Sequence, residues 1–314
     1  MLNKPNIAIL GATGVVGREI TKITEELGIE YNSIKFLSSA KSAGKKIVFK
    51  NKEYTVEEAT PQAFENIDIV MASAGASVSK LFAPEIIKRG GLIIDNSSAF
   101  RMEKDVPLVI QGVNDEDLKL HKGIIANPNC TTIMMVVVLQ CLEKLSHIKR
   151  IHVASYQAAS GAGAAAMAEL EQQYREVLDG KPATVNKFAY QLAYNVIPQI
   201  DVFTDNGYTK EEMKMFNETR KIMHTDASCS AMCVRVPSLR SHSEAVWVET
   251  EQPASVEAFK EAIQQGEGVQ LIDDPANKVY PMPLFLAGKD DVYVGRVRKD
   301  LANENGLTFW LVGD

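Results

Sequence analysis

Cysteine and long apolar runs are scarce in this chain. Only four cysteines occur among its 314 residues, and their spacing is irregular. Such a set does not form the disulfide framework of a small secreted domain, and a reducing compartment would keep the thiols free. No apolar run reaches the roughly 20 residues of a membrane-spanning helix, and the first six residues lack a signal-peptide pattern. We therefore expect a cytoplasmic protein that does not insert into a membrane.

An excess of positive charge is also missing. The chain has 34 lysines and arginines against 40 aspartates and glutamates, which gives a net charge of −6. Without a basic stripe to neutralise phosphates, nucleic-acid binding is not expected, and a small molecule is the expected partner. Hydrophobic residues make up 46% and charged residues 24% of the chain, which is typical of a globular protein. The length fits two domains of ordinary size.

Short β-branched runs alternate with helical stretches through the first 126 residues. This alternation is typical of βαβ units and predicts a doubly wound, Rossmann-type parallel sheet in an α/β fold. The predicted strands are residues 6–10, 34–37, 67–71, 92–95, 108–110 and 124–126. The predicted helices are residues 16–27 and 78–89.

The pattern changes in the second half of the chain, which reads as an α+β domain. Long helices are predicted at 131–145 and 162–178, and strands at 148–156, 229–236, 245–250, 292–298 and 307–312. We place the domain boundary between residues 1–128 and 129–314. Residues 179–205 receive no assignment and are candidates for an active-site or interface loop.

Three glycines lie between the first predicted strand and the first predicted helix. Gly11, Gly14 and Gly17 have the spacing G-x-x-G-x-x-G. Missing side chains in such a turn let a pyrophosphate approach the helix N-terminus. The position directly after the first strand favours dinucleotide binding, with a purely structural glycine turn as the alternative.

The end of the second predicted strand lacks the acidic residue that usually binds the ribose of NAD. Ser38, Ser39 and Lys41 stand there instead. Hydroxyl groups and a cation suit a 2′-phosphate, so this stretch favours NADP over NAD. The alternative is an exposed polar loop that binds no ligand.

Cys130 is the candidate nucleophile. It follows Asn127-Pro128-Asn129 and precedes an apolar helix, which predicts its sulfur at a helix N-terminus. Unpaired N–H groups and the helix dipole favour a thiolate at such a position. A buried cysteine is the alternative, although the polar approach favours an accessible thiol. Cys141 is predicted to be core, and Cys229 and Cys233 lack the histidines of a metal site, so no metal is expected.

Arg235 and His242 are seven positions apart, with a turn around Pro237 between them. If both side chains reach one pocket, the guanidinium can hold a carboxylate and the imidazole can move protons. Each residue alone could also be an ordinary surface group.

Five motifs lie in order along the chain. They are Gly-Ala-Thr-Gly-Val-Val-Gly at 11–17, Asp-Asn-Ser-Ser-Ala-Phe-Arg at 95–101, Asn-Pro-Asn-Cys-Thr-Thr at 127–132, Gln-Ala-Ala-Ser-Gly-Ala-Gly at 157–163, and Val-Arg-Val at 234–236 with Arg-Ser-His-Ser at 240–243. With these motifs the chain resembles the aspartate-semialdehyde dehydrogenase family along nearly its whole length. The resemblance implies a first domain that binds NADP, a second domain for catalysis and dimerisation, and a homodimer. It also implies a role in lysine, threonine, methionine and diaminopimelate biosynthesis.

The resemblance further implies the reductive dephosphorylation of L-4-aspartyl phosphate to L-aspartate-4-semialdehyde. Cys130 would attack the acyl carbon, phosphate would leave, and NADPH would deliver hydride to the thioester. His242 would be the general acid and base, Gln157 would orient the substrate, and Arg235 would bind the substrate carboxylate.

Other family positions match residues that would bind the phosphate, the substrate amine or the cofactor. Asn96, Arg101 and Lys221 would hold the phosphate, and Glu218 would contact the amine. From the sequence alone, Arg101 could form a surface ion pair, and Glu218 and Lys221 a solvated helical pair. The implied cofactor contacts are Gly11, Thr13, Gly14, Val15, Val16, Gly17, Ser38, Ser39, Lys41, Ser73 and Gly161.

Three other functions remain open at this point. An N-acetyl-glutamyl-phosphate reductase would use the same thiolate and hydride chemistry, a non-catalytic homologue would lack a nucleophile or base, and a cysteine hydrolase would leave the glycine turn unused. The run at 129–132 and the Gln157 motif favour the aspartyl enzyme over the glutamyl one, and the joint presence of Cys130, Gln157, Arg235 and His242 disfavours a non-catalytic homologue. The resemblance also leads us to expect a helix beyond Asp314 that helps to hold the nicotinamide.

Overall fold

The computed structural model describes residues 4–314, so Met1, Leu2 and Asn3 lie outside the described residues. The chain divides into two compact units, which are Met1–Pro128 and Asn129–Asp314. Each unit has its own sheet and its own hydrophobic core.

The first unit is built on a six-stranded parallel sheet with the order β5-β2-β1-β6-β7-β8. Its strands are β1 (Asn6–Leu10), β2 (Ser33–Ser38), β3 (Lys46–Phe49), β4 (Lys52–Thr55), β5 (Glu57–Glu58), β6 (Ile69–Ala72), β7 (Leu92–Asp95) and β8 (Ile124–Ala126), of which β3 and β4 form a separate hairpin. Its helices are α1 (Val15–Glu26) and α2 (Ala76–Lys88). The strands β2 and β5 lie on one side of β1, and β6, β7 and β8 lie on the other, so the direction in which strands are added to the sheet reverses at β1. This reversal opens a crevice at the carboxyl end of β1, where doubly wound sheets bind nucleotides.

The first unit differs from the sequence-based prediction in two places. Residues 108–110 do not form the predicted strand within the described chain, and Leu108 makes only an isolated bridge to Ala126. The Asn114 side chain donates to the Leu108 carbonyl and accepts from the Ile110 N–H. These backbone groups are therefore not available to pair with a neighbouring strand. The β3–β4 hairpin was not predicted, because each strand has only four residues and β4 is largely polar. Lys50 and Asn51 both have positive φ, as its two-residue turn requires.

The second unit has a mixed six-stranded sheet with the order β10-β9-β11-β14-β13-β12. Its strands are β9 (Ile148–Gln157), β10 (Ser228–Arg235), β11 (His242–Thr250), β12 (Val269–Leu271), β13 (Val292–Lys299) and β14 (Gly306–Gly313). Its helices are α3 (Cys130–Glu143), α4 (Ala164–Leu178), α5 (Lys210–Ile222), α6 (Val256–Gln265) and α7 (Pro283–Leu286). The α/β fold with a second α+β unit is therefore confirmed.

The two faces of this second sheet differ in burial, because successive side chains on a strand point to opposite sides. One row across the sheet, Cys233, Ser155, Glu244 and Leu311, is completely buried under the helices. The neighbouring row is on the open face and includes Met232, which is 59% exposed. The closed face therefore carries the core and the open face remains uncovered in the single chain.

Residues 179–205, which had no assignment, are ordered by polar side chains of α4. Glu169 accepts hydrogen bonds from the three consecutive backbone N–H groups of residues 186–188. Gln173 accepts from those of residues 192–193. These bonds satisfy backbone groups that would otherwise pair in a helix or sheet. The segment is therefore a defined loop without long regular structure.

Candidate active site

Three predicted site residues lie side by side at one end of the second sheet. Arg235 ends β10, Gln157 ends β9 directly opposite it, and His242 begins β11 on the other side of β9. All three share the closed face, two residues along their strands from the buried row. The prediction placed Arg235 and His242 across a simple turn, whereas β9 lies between their strands. We call this set the Arg235–Gln157–His242 row.

The Cys130 thiol lies at the N-terminus of the helix that covers this face. Cys130 is the first residue of α3, and the Asn129 side chain caps the helix by accepting from the N–H of Thr131 at 3.1 Å. One turn later, Met134 packs so closely on Gly313 that a Cβ there would lie 2.9 Å from its Cγ. Because Gly313 pairs with His242, α3 begins over the row. Cys130 is exposed, which excludes the buried alternative.

The other cysteines are not candidates for nucleophiles. Cys141, Cys229 and Cys233 are all buried. Burial raises the pKa of all three thiols, and the pKa of Cys229 reaches about 12. They therefore remain protonated near neutral pH and serve as core residues.

His242 is buried and held in one orientation by the backbone. The N–H of Ala158 donates to its Nδ1 at 3.0 Å. Burial, followed by the positive charge of Arg235, lowers the pKa of His242 to about 4. The imidazole is therefore neutral near pH 7, and because Nδ1 accepts, its proton lies on Nε2. This geometry presents Nε2 as a hydrogen-bond donor.

Arg235 is also buried, and it remains a cation. Its Nη1 donates to the carbonyl of Ala158 at 2.6 Å. Burial lowers the pKa of Arg235, while the charges of Glu211 and Cys130 oppose that shift. A guanidinium stays charged under such conditions, so it can bind a carboxylate and stabilise a thiolate.

The Gln157 amide has both ends fixed. Ser155 Oγ donates to its Oε1 at 2.9 Å, and its Nε2 donates to Oε1 of Glu211 at 3.1 Å. The sequence-based prediction did not include Glu211. The only signal was the capping box of Thr209 and Glu212, which marks the start of α5 but does not show which side chain faces the site.

Glu218 and Lys221 lie on α5, three residues apart. Glu218 is 1% exposed, and its Oε2 accepts from the backbone N–H of Asn129 at 2.7 Å. This burial excludes a solvated ion pair. Glu218 instead holds the residue that precedes Cys130.

The predicted phosphate residues Asn96 and Arg101 belong to the first unit. Arg101 is 7% exposed, which excludes a surface ion pair. Its Nε donates to the carbonyl of Asn127 and its Nη2 to that of Asn96, at 2.8 and 3.2 Å. Both carbonyls follow the carboxyl ends of strands, so the guanidinium is fixed at the nucleotide-binding edge of the sheet.

The glycine turn after β1 leaves room only for hydrogen at two positions. Gly11 has a φ of +86°, and a Cβ there would lie 2.4 Å from the carbonyl oxygen of Ser73. A Cβ on Gly17 would lie 2.2 Å from the Gly11 carbonyl oxygen. In the described chain, no side chain caps the N-terminus of α1, whose first helical residues are Val15 and Val16. The turn therefore presents uncapped N–H groups, as a pyrophosphate site requires.

Hydroxyl groups lie beside this turn. Thr13 Oγ1 and Ser38 Oγ are 2.9 Å apart and form a hydrogen bond. Ser39 and Lys41 follow in a short 3-10 helix and its cap. These residues at the carboxyl end of β2 fit the ribose side of a dinucleotide.

Two features are not found in the structure. Among residues 4–314, no group of three or more His, Cys, Asp or Glu side chains is arranged to hold a metal ion. Within the same range, no helix is both long and apolar enough to cross a membrane.

The glycine turn after β1 of a parallel sheet, together with a second unit that carries an accessible cysteine, defines the class of two-domain semialdehyde dehydrogenases. Residues 6–121 match the family model "Semialdehyde dehydrogenase, NAD binding domain". Residues 139–314 match "Semialdehyde dehydrogenase, dimerisation domain".

Individual relatives narrow this class. The aspartate-semialdehyde dehydrogenase of Bacillus subtilis is 48% identical over 98% of this chain and 92% of that protein. The enzyme of the same name from Aquifex aeolicus is 49% identical over 98% of this chain and 92% of that protein. The crystal structure of aspartate semialdehyde dehydrogenase II from Vibrio cholerae complexed with ASA superposes with a TM-score of 0.97, at 40% identity over 99% of this chain and 93% of that one. The chain belongs to the aspartate-semialdehyde dehydrogenase family.

Proposed function

We propose that this protein reduces L-4-aspartyl phosphate to L-aspartate-4-semialdehyde with NADPH, through a thioester on Cys130. The observation that carries the proposal is the placement of Cys130, at the start of α3, over the Arg235–Gln157–His242 row. A thiol at a helix N-terminus beside a guanidinium favours the thiolate that an acyl transfer requires.

Each residue of the row has one task in this reaction. Arg235 binds the substrate carboxylate with the part of its guanidinium fork that Ala158 does not use. His242 donates a hydrogen bond from Nε2 to the oxygen that becomes negative when the thiolate attacks, and so stabilises that charge until phosphate leaves. Its pKa of about 4 keeps the imidazole neutral, so it acts as a hydrogen-bond donor and does not take up the proton of the thiol. Gln157 orients the reacting carbonyl through its fixed amide.

The remaining predicted contacts bind the rest of the substrate. Asn96, Arg101 and Lys221 hold the phosphate group, and Glu218 contacts the amine while it fixes Asn129. Phosphate leaves as the Cys130 thioester forms, so the cationic side chains stabilise the charge of the leaving group.

The turn after β1 holds the cofactor. When bound, NADPH supplies the hydride that converts the thioester to the aldehyde. Gly11, Gly14 and Gly17 with Thr13, Val15, Val16 and Ser73 form the pyrophosphate cradle, Gly161 contacts the nicotinamide part, and Ser38, Ser39 and Lys41 bind the 2′-phosphate. The hydroxyl groups and lysine in place of an acidic residue support NADP over NAD.

We further propose a homodimer through the open face of the second sheet. Tyr156, Met232 and Trp247 are exposed on that face. Aromatic residues and methionine are enriched at protein interfaces, so their exposure in the single chain supports a dimer contact there. The family model named for a dimerisation domain covers these strands. We also propose a cytoplasmic enzyme of lysine, threonine, methionine and diaminopimelate biosynthesis.

The alternatives have less support. The curated relatives named above are aspartate-semialdehyde dehydrogenases, which disfavours an N-acetyl-glutamyl substrate. A non-catalytic homologue is disfavoured because nucleophile and imidazole are both present. A cofactor-free hydrolase would not need the steric constraints at Gly11 and Gly17.

The test is the reverse reaction, followed by NADPH absorbance. Wild type is supplied with aspartate semialdehyde, phosphate and NADP, with phosphate-free and NAD controls. Cys130→Ala and Cys130→Ser are measured alongside, and both should lose turnover while they remain folded. Activity that needs no phosphate, or that survives in Cys130→Ser, would contradict the mechanism.

A further inference from the structure

The carboxylate of Asp314, the residue after β14, joins two other segments of the second unit. Its Oδ2 accepts from Arg240 Nη2 at 2.5 Å and from the backbone N–H of Gly288 at 2.6 Å. Its Oδ1 accepts from the backbone N–H of Ser241 at 3.2 Å. The side chain is 9% exposed, so these bonds largely replace contacts with water. Asp314 therefore fastens the turn that leads directly into His242.

Ser241 has a backbone conformation that needs such support. Its φ is +66°, in the left-handed region that residues other than glycine seldom adopt. The residue is 1% exposed, and its hydroxyl group has no hydrogen-bond partner among the described residues. The side chain of Ser241 therefore does not hold this conformation. The hydrogen bond from its backbone N–H to Asp314 does.

The earlier part of the same turn is fixed by a different segment. The carbonyls of residues 238–239 accept from the N–H groups of residues 159–160, at 2.8 and 3.0 Å. The N–H of Ala158, one residue earlier, donates to Nδ1 of His242. Asp314 holds the later end of the turn, directly before His242. The place of the imidazole therefore depends on both supports.

The charge of Asp314 also acts on the imidazole. Burial lowers the pKa of His242 most and Arg235 lowers it further, whereas the carboxylates of Glu211 and Asp314 raise it. His242 pairs with Gly313, the residue before Asp314, across β11 and β14. The carboxylate is therefore close to the catalytic group as well as bonded to the turn that carries it.

We infer that Asp314 is a positioning residue for the reaction, and that it acts through the left-handed turn at Ser241 to place His242. The ring accepts from Ala158 through Nδ1, so it presents Nε2 to the substrate only while its backbone stays in place. A displacement of about 1 Å can cost about a hundredfold in rate. Arg240, a motif residue without a task in the mechanism, is the ion-pair partner of Asp314. The inference rests on the proposed function.

Asp314→Asn keeps the shape of the side chain and removes one acceptor. The amide oxygen can replace Oδ2, which serves two donors, and the NH₂ group then faces the N–H of Ser241 as donor against donor. The turn loses its support, so His242 is displaced. Ser241→Gly relieves the same turn, because glycine adopts a positive φ without strain. Its addition to Asp314→Asn should therefore restore activity.

The experiment measures kcat, KM and the alkylation of Cys130 by iodoacetamide in Asp314→Asn. We expect kcat to fall about tenfold, with KM for aspartate semialdehyde within about twofold, because Arg235 still binds the carboxylate. Of the four cysteines only Cys130 is exposed, and it lies on α3. Its alkylation at pH 7 should therefore stay within about twofold of wild type. Ser241→Gly in this variant should raise kcat again by about threefold or more.

The matched control is Asp300→Asn, at the opposite end of β14. The Asp300 carboxylate also accepts from a backbone N–H, that of Ala302 at 2.9 Å. The length of β14 separates it from the pair of His242 and Gly313, so its substitution should leave kcat unchanged. A second comparison uses His242→Gln, in whose background Asp314→Asn should cost less than about twofold.

Several outcomes would overturn the inference. They are an unchanged kcat in Asp314→Asn, a joint loss of turnover and alkylation, an undiminished cost in the His242→Gln background, and no recovery with Ser241→Gly. If Asp314→Asn does not fold even with Ser241→Gly, Asp314 serves stability and the positioning role is refuted.

Inactive wild type would contradict the proposed function instead, and a ¹⁵N-histidine spectrum then tests the inference without substrate. Asp314→Asn should shift the ring-nitrogen signals of His242, which are assigned with His242→Gln. The addition of Ser241→Gly should move these signals back towards their wild-type positions. Unshifted signals in Asp314→Asn would refute the inference.

Discussion

Ala158 holds His242 through its backbone, with its N–H donating to Nδ1 at 3.0 Å. The carbonyl of the same residue accepts from Nη1 of Arg235 at 2.6 Å. One peptide segment after β9 therefore sets the tautomer of the imidazole and the position of the guanidinium. Because the cation lies beside the imidazole, it also contributes to the low pKa of His242.

We predict that His242 does not titrate between pH 5 and 8. Its pKa of about 4 means that the imidazole is neutral throughout this range. The measurement is the pH dependence of ¹³C-histidine NMR signals, with His242 assigned by its substitution to glutamine. His147 provides the internal control, because its hydrogen bond with Glu143 raises its pKa above 6.5. Titration of the His242 signal near pH 6.5 would contradict the buried, neutral imidazole.

Arg235→Lys should raise KM for aspartate semialdehyde by about tenfold or more. An ammonium cannot donate to Ala158 and present a planar fork to a carboxylate at the same time. Steady-state kinetics check this expectation, with the exposed Arg175→Lys as a charge-matched control. An unchanged KM would remove Arg235 from the carboxylate role.

Gly161→Ala should lower kcat/KM by about tenfold while the unfolding temperature changes little. A Cβ at Gly161 would lie 3.1 Å from Arg235 Nη1 and from both Cε1 and Nε2 of His242. These side chains must move by a few tenths of an ångström, which disturbs the row and not the core. Ser160→Ala, in the same short helix, is the control. Full activity in Gly161→Ala would show that the row tolerates this displacement.

Glu244→Gln should stabilise the protein at pH 8 and have little effect at pH 4. Glu244 is completely buried, and neither carboxyl oxygen has a hydrogen-bond partner among the described residues. Burial raises its pKa well above the ordinary value, so the folded state keeps the proton that the unfolded state loses above about pH 4.3. Stability is therefore lost as the pH rises from that value towards the folded pKa.

A neutral amide of the same shape has no proton to lose, so Glu244→Gln removes this pH-dependent loss of stability. We expect the free energy of unfolding at pH 8 to rise by about 1 kcal/mol or more, since one pKa unit corresponds to about 1.4 kcal/mol. Thermal unfolding of both proteins at the two pH values measures it. Glu249→Gln, on the open face of the same strand, is the control. Equal unfolding temperatures at pH 8 would show that Glu244 is ionised in the folded protein.

Much of the fold was readable from local pattern. The alternation of short β-branched runs with helical stretches predicted the parallel sheet, and Cys130 before an apolar run predicted a helix N-terminus. Both signals are local, because strand propensity and helix starts depend on residues within a few positions. The strand expected at 108–110 was wrong because the side chain of Asn114, four to six positions further along, takes the backbone hydrogen bonds of this stretch.

The sequence by itself determined the fold class, the glycine turn after β1, the place of Cys130 before an apolar helix and the family resemblance, because those depend on spacing and residue type. Tertiary structure decided how the site is assembled. Arg235, Gln157 and His242 meet because β9 pairs between β10 and β11, and strand order is not encoded in any short segment. Glu211 reaches Gln157 across 54 positions of sequence. This contact forms only when α5 packs against the sheet, since burial and long-range pairing exist only in the folded chain.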